Sequence, residues 1–133
     1  MDMKLELVPV PVSDVDRAKS FYVDQVGFTA DGDFNIGGGV RFVQLTPPGS
    51  ACSIAIGTGI TPSAPGSAQG LLLVVSDVEA ARTALAQRGV QVTEARDEPW
   101  GARHAYFNDP DGNSWQLQQP RGRSGQAPGA QLT

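Results

Sequence analysis

Two stretches of the chain resemble each other so closely that they point to a duplicated fold. VSDVDRAKS at 12–20 and VSDVEAART at 75–83 share five identical and three conservatively exchanged positions, 63 residues apart. A second pair begins with an arginine in each half, at Arg41 and Arg103, and runs to a turn with glycine. Because both matches occur in the same order at nearly the same spacing, they predict two copies of one structural module.

Each copy begins in the same way. An apolar run comes first, at 5–12 and at 71–75, and predicts a strand. Ser13 or Ser76 follows with an acidic residue three positions on, which is the pattern of a helix capping box. The apolar positions after each serine recur at helical spacing and indicate one helix per copy.

The rest of each copy reads as strands. Gly27 and Gly89 are expected to end the helices, because a helix commonly ends at a left-handed glycine. Three strands follow, and the last two in the second copy flank a turn in which Asp109 and Asp111 shape the backbone. Pro9 and Pro11 are difficult to accommodate inside a sheet and predict either that the first strand lies at an edge or that their positions face away from the hydrogen-bond ladder.

The sequence therefore predicts an α+β fold of two βαβββ modules in a single domain, residues 1–133. The modules are expected at 5–57 and 70–119. Segment 58–69 is rich in glycine, proline, serine and threonine and is predicted to link them. Segment 120–133 has a similar composition and is predicted to be a flexible tail.

Composition excludes several classes of function. The formal net charge of −4 argues against nucleic-acid binding, which needs a basic face. No apolar run approaches the length of a membrane span, and the first residues do not resemble a signal peptide. A single cysteine, Cys52, excludes an internal disulfide framework. We therefore expect a cytoplasmic protein that binds neither nucleic acid nor membrane.

The paired modules, the V-S-D-V helix entries and the F-x-D-P-D-G-N hairpin at 107–113 resemble the vicinal oxygen chelate superfamily, over residues 5–119. This superfamily includes glyoxalase I, extradiol dioxygenases, fosfomycin-resistance enzymes and bleomycin-binding proteins. The resemblance implies that the two modules form a half-barrel cleft. Function within such a fold depends on the residues that line the cleft.

The resemblance also implies where a metal would bind in the metal-dependent members. Their four ligand positions correspond here to Leu7, Gly70, Gln116 and Ala55, with Ser53 as the alternative to Ala55. Leucine, glycine and alanine side chains have no donor atom, and an amide alone is a poor ligand for a transition metal. We therefore expect no metal and no other cofactor.

Strand alternation then predicts which side chains line the cleft. His104 and Tyr106 share one face of their strand, and the resemblance to the fosfomycin enzymes places Tyr106 toward the ligand. With Gln116 in the cleft, Trp115 faces the helix side. A loop tryptophan, Trp100, is placed to cover the opening. The expected ligand-binding residues are Leu7, Phe42, Gln44, Ser53, Ala55, Leu72, Trp100, His104, Tyr106 and Gln116.

Three functions remain open at this point. The first is a metal-independent binding protein that sequesters an aromatic or antibiotic-like compound as a homodimer, as the resemblance to the bleomycin-binding branch implies. The second is a metal-independent lyase or isomerase that uses His104 and Tyr106 as acid and base. The third is a glyoxalase-like metalloenzyme with relocated ligands. The absence of a visible set of catalytic groups favours the non-catalytic binding protein.

Overall fold

A computed structural model describes residues 1–120 of the chain. Apart from Pro120, the predicted tail at 120–133 lies outside the described residues. The chain divides into two compact units. Within the described residues, unit 1 comprises Met1–Gln69 together with Asn108–Asn113, and unit 2 comprises Gly70–Phe107 and residues 114–120.

Unit 1 contains one helical region and a four-stranded sheet in the order β1-β4-β3-β2. Strand β1 runs parallel to β4, and the other neighbours are antiparallel. The helix α1 continues directly into a π-helical segment. In chain order the elements are β1 (Leu7–Pro9), α1 (Val15–Ser20), the π-helical segment (Phe21–Val26), β2 (Thr29–Gly37), β3 (Val40–Thr46) and β4 (Ser53–Thr58).

Unit 2 repeats this arrangement, with a sheet in the order β5-β8-β7-β6 and with β5 parallel to β8. The identical strand order confirms the predicted α+β fold of two βαβββ modules. The elements are β5 (Leu71–Val74), α2 (Val78–Gln87), β6 (Arg96–Asp97), β7 (Arg103–Asn108) and β8 (Ser114–Gln119).

The helix starts differ from the prediction by one residue. The capping residues are Asp14 and Asp77, whose carboxylates accept from the backbone N–H three positions on, at 3.0 and 3.1 Å. The prediction that Ser13 and Ser76 cap the helices is therefore wrong. Each aspartate has an extended backbone and is the last residue before the helical turn, which is the position that a cap must occupy. Ser13 instead donates its hydroxyl to the carboxylate of Asp111 at 2.6 Å.

The predicted helix ends at Gly27 and Gly89 and the predicted edge strand are confirmed. Gly27 ends the π-helical segment with φ 98°, a left-handed conformation that favours glycine. Gly89, with φ 87°, directly follows Arg88, the C-cap residue of α2. Strand β1, which holds Pro9, lies at the edge of its sheet, so the missing N–H of the proline interrupts no internal ladder.

Each unit buries the face of its sheet that carries the alternating large apolar side chains. In unit 2, Trp115 stacks on Phe107 with ring centroids 6.1 Å apart and planes within 4°. Both rings are buried, which confirms that Trp115 belongs to the core. In unit 1, α1 packs against β4. The apolar core of unit 1 includes Val10, Ala18, Phe21, Tyr22, Phe28, Val43, Leu45, Ile54 and Ile56.

An ion-pair network in unit 1 joins the helix to the sheet. The Arg41 guanidinium bridges Asp16 at 2.8 Å and Asp33 at 2.7 Å, and Lys19 reaches Asp33 at 2.9 Å. Hydrogen bonds from Arg41 and then from Lys19 hold the pKa of the Asp33 carboxyl far below its ordinary value.

Unit 2 carries the corresponding network at the repeat-related positions. Arg103 pairs with Glu79 and with Asp97, both at 2.8 Å, and Arg82 pairs with Glu79 at 2.7 Å. Hydrogen bonds from Arg103 and then Arg82 lower the pKa of Glu79. The duplication thus extends from the strand order to the ion pairs.

Across residues 1–120 no helix combines the length and the apolar character needed to cross a bilayer.

Candidate functional site

The sheet of unit 2 has one face that carries the buried rings of Phe107 and Trp115, and the candidate site lies on the opposite face. Strand register pairs Leu72 with Gln116 and Val74 with Gln118, so these four residues share that face. Leu72 and Val74 are exposed although both are large and apolar. We call this surface the second face; it consists of Leu72, Val74, Trp100, His104, Tyr106, Gln116 and Gln118.

Three rings lie edge-on to one another on the second face. The centroids of Trp100 and His104 are 5.6 Å apart with planes at 63°, and those of His104 and Tyr106 are 6.2 Å apart at 70°. Trp100 is 52% exposed and Tyr106 37%, whereas His104 is 6% exposed. The outer rings therefore offer accessible aromatic surface, and the imidazole between them is held in place.

Both ring nitrogens of His104 are bonded within unit 2. Nδ1 lies 3.2 Å from a carboxylate oxygen of Glu98, and Nε2 lies 2.8 Å from Oε1 of Gln118. Because a carboxylate only accepts, Nδ1 donates to Glu98, and Nε2 of a neutral imidazole then accepts from the Gln118 amide with its N–H end turned to the ring. The structure therefore pairs His104 with Gln118, two positions beyond Gln116, which lies on the same face.

Unit 1 presents an equivalent surface, which we call the first face. Register pairs Leu7 with Ser53, Ala55 with Gln44, and Phe42 with Phe34 on the next strand. The five residues predicted for this half therefore share one face of the sheet. The first face consists of Leu7, Pro9, Asp31, Phe34, Phe42, Gln44, Thr46, Ser53 and Ala55.

Small residues form the floor of the first face. Ser53 and Ala55, on the central strand β4, are both buried. The Phe34 ring lies over Gly32, where an added Cβ would collide with it, and Gly32 pairs with Gln44. An exposed aromatic ring thus lies over the cross-strand partner of Gln44.

A chain of hydrogen bonds crosses the first face. The Nε2 of Gln44 donates to Oγ of Ser53 at 3.2 Å, and Oγ of Ser53 lies 2.6 Å from the hydroxyl of Thr46. Thr46 in turn donates to the carboxylate of Asp31. This chain is the main polar feature of a surface that is otherwise apolar and aromatic.

The turn at 109–113 is built into unit 1. Asp109 accepts from the backbone N–H of Asp111 and of Asn113, each at 2.9 Å, which confirms that it shapes the turn. Its other oxygen accepts from the Tyr22 hydroxyl at 2.6 Å and from Nδ2 of Asn113 at 2.7 Å. The Asp109 carboxylate therefore serves the architecture of the turn, whereas the Asp111 carboxylate accepts from the backbone N–H and hydroxyl of Ser13.

The residues at the superfamily's metal positions do not match the ligand set of a transition metal. Leu7, Ala55 and Gly70 offer no side-chain donor, Gln116 offers only an amide, and the alternative Ser53 offers only a neutral hydroxyl. In the part of the chain that the structure describes, no group of three or more histidine, cysteine or acidic residues is arranged to hold an ion.

Comparison with known families agrees with this architecture. The family model of the Glyoxalase/Bleomycin resistance protein/Dioxygenase superfamily matches residues 4–117. The chain belongs to this superfamily. A search of curated protein sequences gave no match.

Several proteins of known structure are similar to this chain. TnmS3, an antibiotic binding protein from Streptomyces sp. CB03234, is 42% identical over 90% of this chain and 97% of its own, with a TM-score of 0.81. A glyoxalase/bleomycin resistance protein from the same strain is also 42% identical, over 87% and 100%, with a TM-score of 0.76. A superfamily member from Sphaerobacter thermophilus DSM 20745 is 33% identical over 88% and 97%, with a TM-score of 0.78.

Sequence reasoning missed several residues of the two faces. Val74 and Gln118 follow from the same alternation that selects Leu72 and Gln116, so the signal was present. Asp31 and Phe34 are different, because β2 changes register between Ala30 and Gly32. That irregularity breaks simple alternation and hides which side chains share the face.

Proposed function

We propose that this superfamily member binds and sequesters a small aromatic, antibiotic-like compound, without a metal and without catalysis. The observation that carries the proposal is the array of Trp100, His104 and Tyr106 on the second face. Aromatic walls with a few fixed polar groups are the usual composition of small-molecule sites. The similarity to TnmS3, an antibiotic binding protein, supports the same function.

The bonding of His104 favours binding over catalysis. A general acid or base must reach the substrate proton directly or through one water. Here Glu98 and Gln118 occupy the two ring nitrogens, so the imidazole is committed to holding the ring array. The alternative, a lyase or isomerase using His104 and Tyr106, requires Gln118 to release Nε2.

The exposed apolar side chains on the two faces support the proposal that these faces are binding surfaces. Phe34, Leu72, Val74 and Trp100 are all substantially exposed on the two faces. Clusters of exposed apolar residues mark binding surfaces more often than inert ones. We propose that the protein works as a cytoplasmic homodimer; light scattering should then give twice the 14.0 kDa chain mass.

Calorimetric titration with bleomycin A2, tetracycline and doxorubicin tests the proposed function. At least one is expected to bind, and Trp100→Ala is expected to weaken that binding by roughly tenfold, as for a central aromatic anchor. Gln87→Ala, which shortens an exposed side chain on α2 and touches neither face, is the matched control and should leave Kd unchanged.

Two results would contradict the proposal. One is that none of the three compounds binds. The other is that a compound binds and is turned over, with turnover lost in His104→Ala while binding is kept, which is the signature of an acid–base enzyme.

A further inference from the structure

The hydrogen-bond chain on the first face has a fixed direction. The Asp31 carboxylate can only accept, so the single proton of the Thr46 hydroxyl points to it. Ser53 must then donate its own proton to Thr46, across 2.6 Å. The Oγ of Ser53 is left as an acceptor, and it receives an N–H from Gln44 at 3.2 Å.

This direction fixes the amide of Gln44. If the amide were rotated by half a turn, its Oε1 would face the Ser53 oxygen with no proton between them. Ser53 is buried, so water does not readily relieve such a contact. The Nε2 end therefore stays at Ser53, and Oε1 is the end that Gln44 offers as an acceptor on the face.

We propose that Gln44 is a specificity-determining residue, and that Asp31 positions it through Thr46 and Ser53. The inference rests on the proposed function and names the ligand chemistry that the first face takes. The preferred ligand is an aromatic compound that carries a hydrogen-bond donor, such as a phenolic hydroxyl or an aryl amine, at the edge of its ring system.

The surroundings of Gln44 suit such a ligand. The exposed Phe34 ring lies over Gly32, the cross-strand partner of Gln44, and Phe42 is two residues away on the same face. An aromatic ring of the ligand can pack on these side chains while its donor reaches Oε1. A donor is needed because Oε1 without a partner would lose its hydrogen bond to water when the ligand covers it.

Two probes of nearly equal aromatic surface test this inference on the full chain. 1-Naphthol carries a donor, whereas 1-methoxynaphthalene has the same rings and an oxygen that only accepts. Titrations followed by amide NMR spectra are expected to give a Kd about fivefold lower for 1-naphthol, the worth of one neutral hydrogen bond. Gln44→Met keeps the shape of the side chain without the amide and should bring the ratio of the two Kd values close to one.

Asp31→Ala tests the positioning role, because it removes the group that sets the direction of the chain. The ratio should fall in this variant although Gln44 is intact. Asp24→Ala, which removes an exposed carboxylate outside both faces, is the matched control and should keep the wild-type ratio.

Each outcome separates the inference from the proposed function. If both probes bind wild-type protein with equal Kd, the inference is wrong and the proposed function stands. A ratio that persists in Gln44→Met and Asp31→Ala also overturns it. If neither probe binds the wild-type chain although one of the three antibiotics does, the inference is wrong and the proposed function stands.

Discussion

Replacing Tyr22 by phenylalanine tests how strongly the turn at 109–113 is held by unit 1. Tyr22 is fully buried and donates its hydroxyl to Asp109 at 2.6 Å. The Asp109 carboxylate, itself 5% exposed, receives three further donors from Asp111 and Asn113. The substitution removes one donor of four from a site that water does not readily enter.

The expected loss follows from the charge on the acceptor. A hydrogen bond to a charged group contributes about 1.5–3 kcal/mol, so Tyr22→Phe should lower the free energy of unfolding by about 2 kcal/mol. With a urea dependence near 2 kcal/mol per molar, the unfolding midpoint should fall by about 1 M. Urea titration followed by far-UV circular dichroism measures this shift.

Tyr106→Phe is the matched control, because it makes the same chemical change in the only other tyrosine of the chain. Tyr106 lies on the second face and is partly exposed, so its loss of a hydroxyl should change stability by less than about 0.5 kcal/mol. The reasoning is refuted if both variants have the same midpoint, since burial and charge would then not decide the contribution.

Two further predictions concern the charged residues of the helices and the first sheet. Asp33→Asn removes the carboxylate that pairs with Arg41 and should therefore lower the free energy of unfolding at neutral pH. Because this ion pair is partly exposed, the loss should be only about 1 kcal/mol. Since the folded-state pKa of Asp33 is lowered, this contribution is present above its ordinary pKa of 3.8 and is lost as the pH falls below it; equal acid sensitivity of variant and wild type would contradict this. Asp77→Ala should lower the unfolding free energy by about 1 kcal/mol, whereas Ser76→Ala should not, because the aspartate is the cap; thermal unfolding of the two variants decides between them.

The repeat in the sequence predicted most of the fold. It indicated the strand content of each half, and the repeat-related pairs Asp16 with Arg41 and Glu79 with Arg103 meet in equivalent ion pairs. Alternation also placed Trp115 on the buried side of its sheet. These features follow from local period and duplication, which a single sequence contains.

Other features depend on geometry that the sequence does not encode locally. Serine and aspartate adjoin at each helix start, and only the backbone conformation decides that Asp14 and Asp77 are the caps. Gln116 and Gln118 share one face, so alternation alone does not say which one reaches His104. The position of Asp31 depends on the register change in β2, which has no clear sequence signature.

The most direct test of the central claim uses the two tryptophans of the chain. Trp100 lies exposed on the second face, and Trp115 is buried against Phe107 on the other side of the same sheet. Their indole N–H groups give two separate signals in a ¹⁵N-resolved NMR spectrum, which can be assigned with Trp100→Phe. Titration with bleomycin A2, tetracycline and doxorubicin then reports on each side of the sheet.

The account predicts that at least one of these compounds shifts the Trp100 indole signal in a saturable way and leaves the Trp115 signal in place. A Trp100 signal that stays unchanged with all three, or a shift confined to Trp115, would contradict the claim that the second face binds an aromatic ligand.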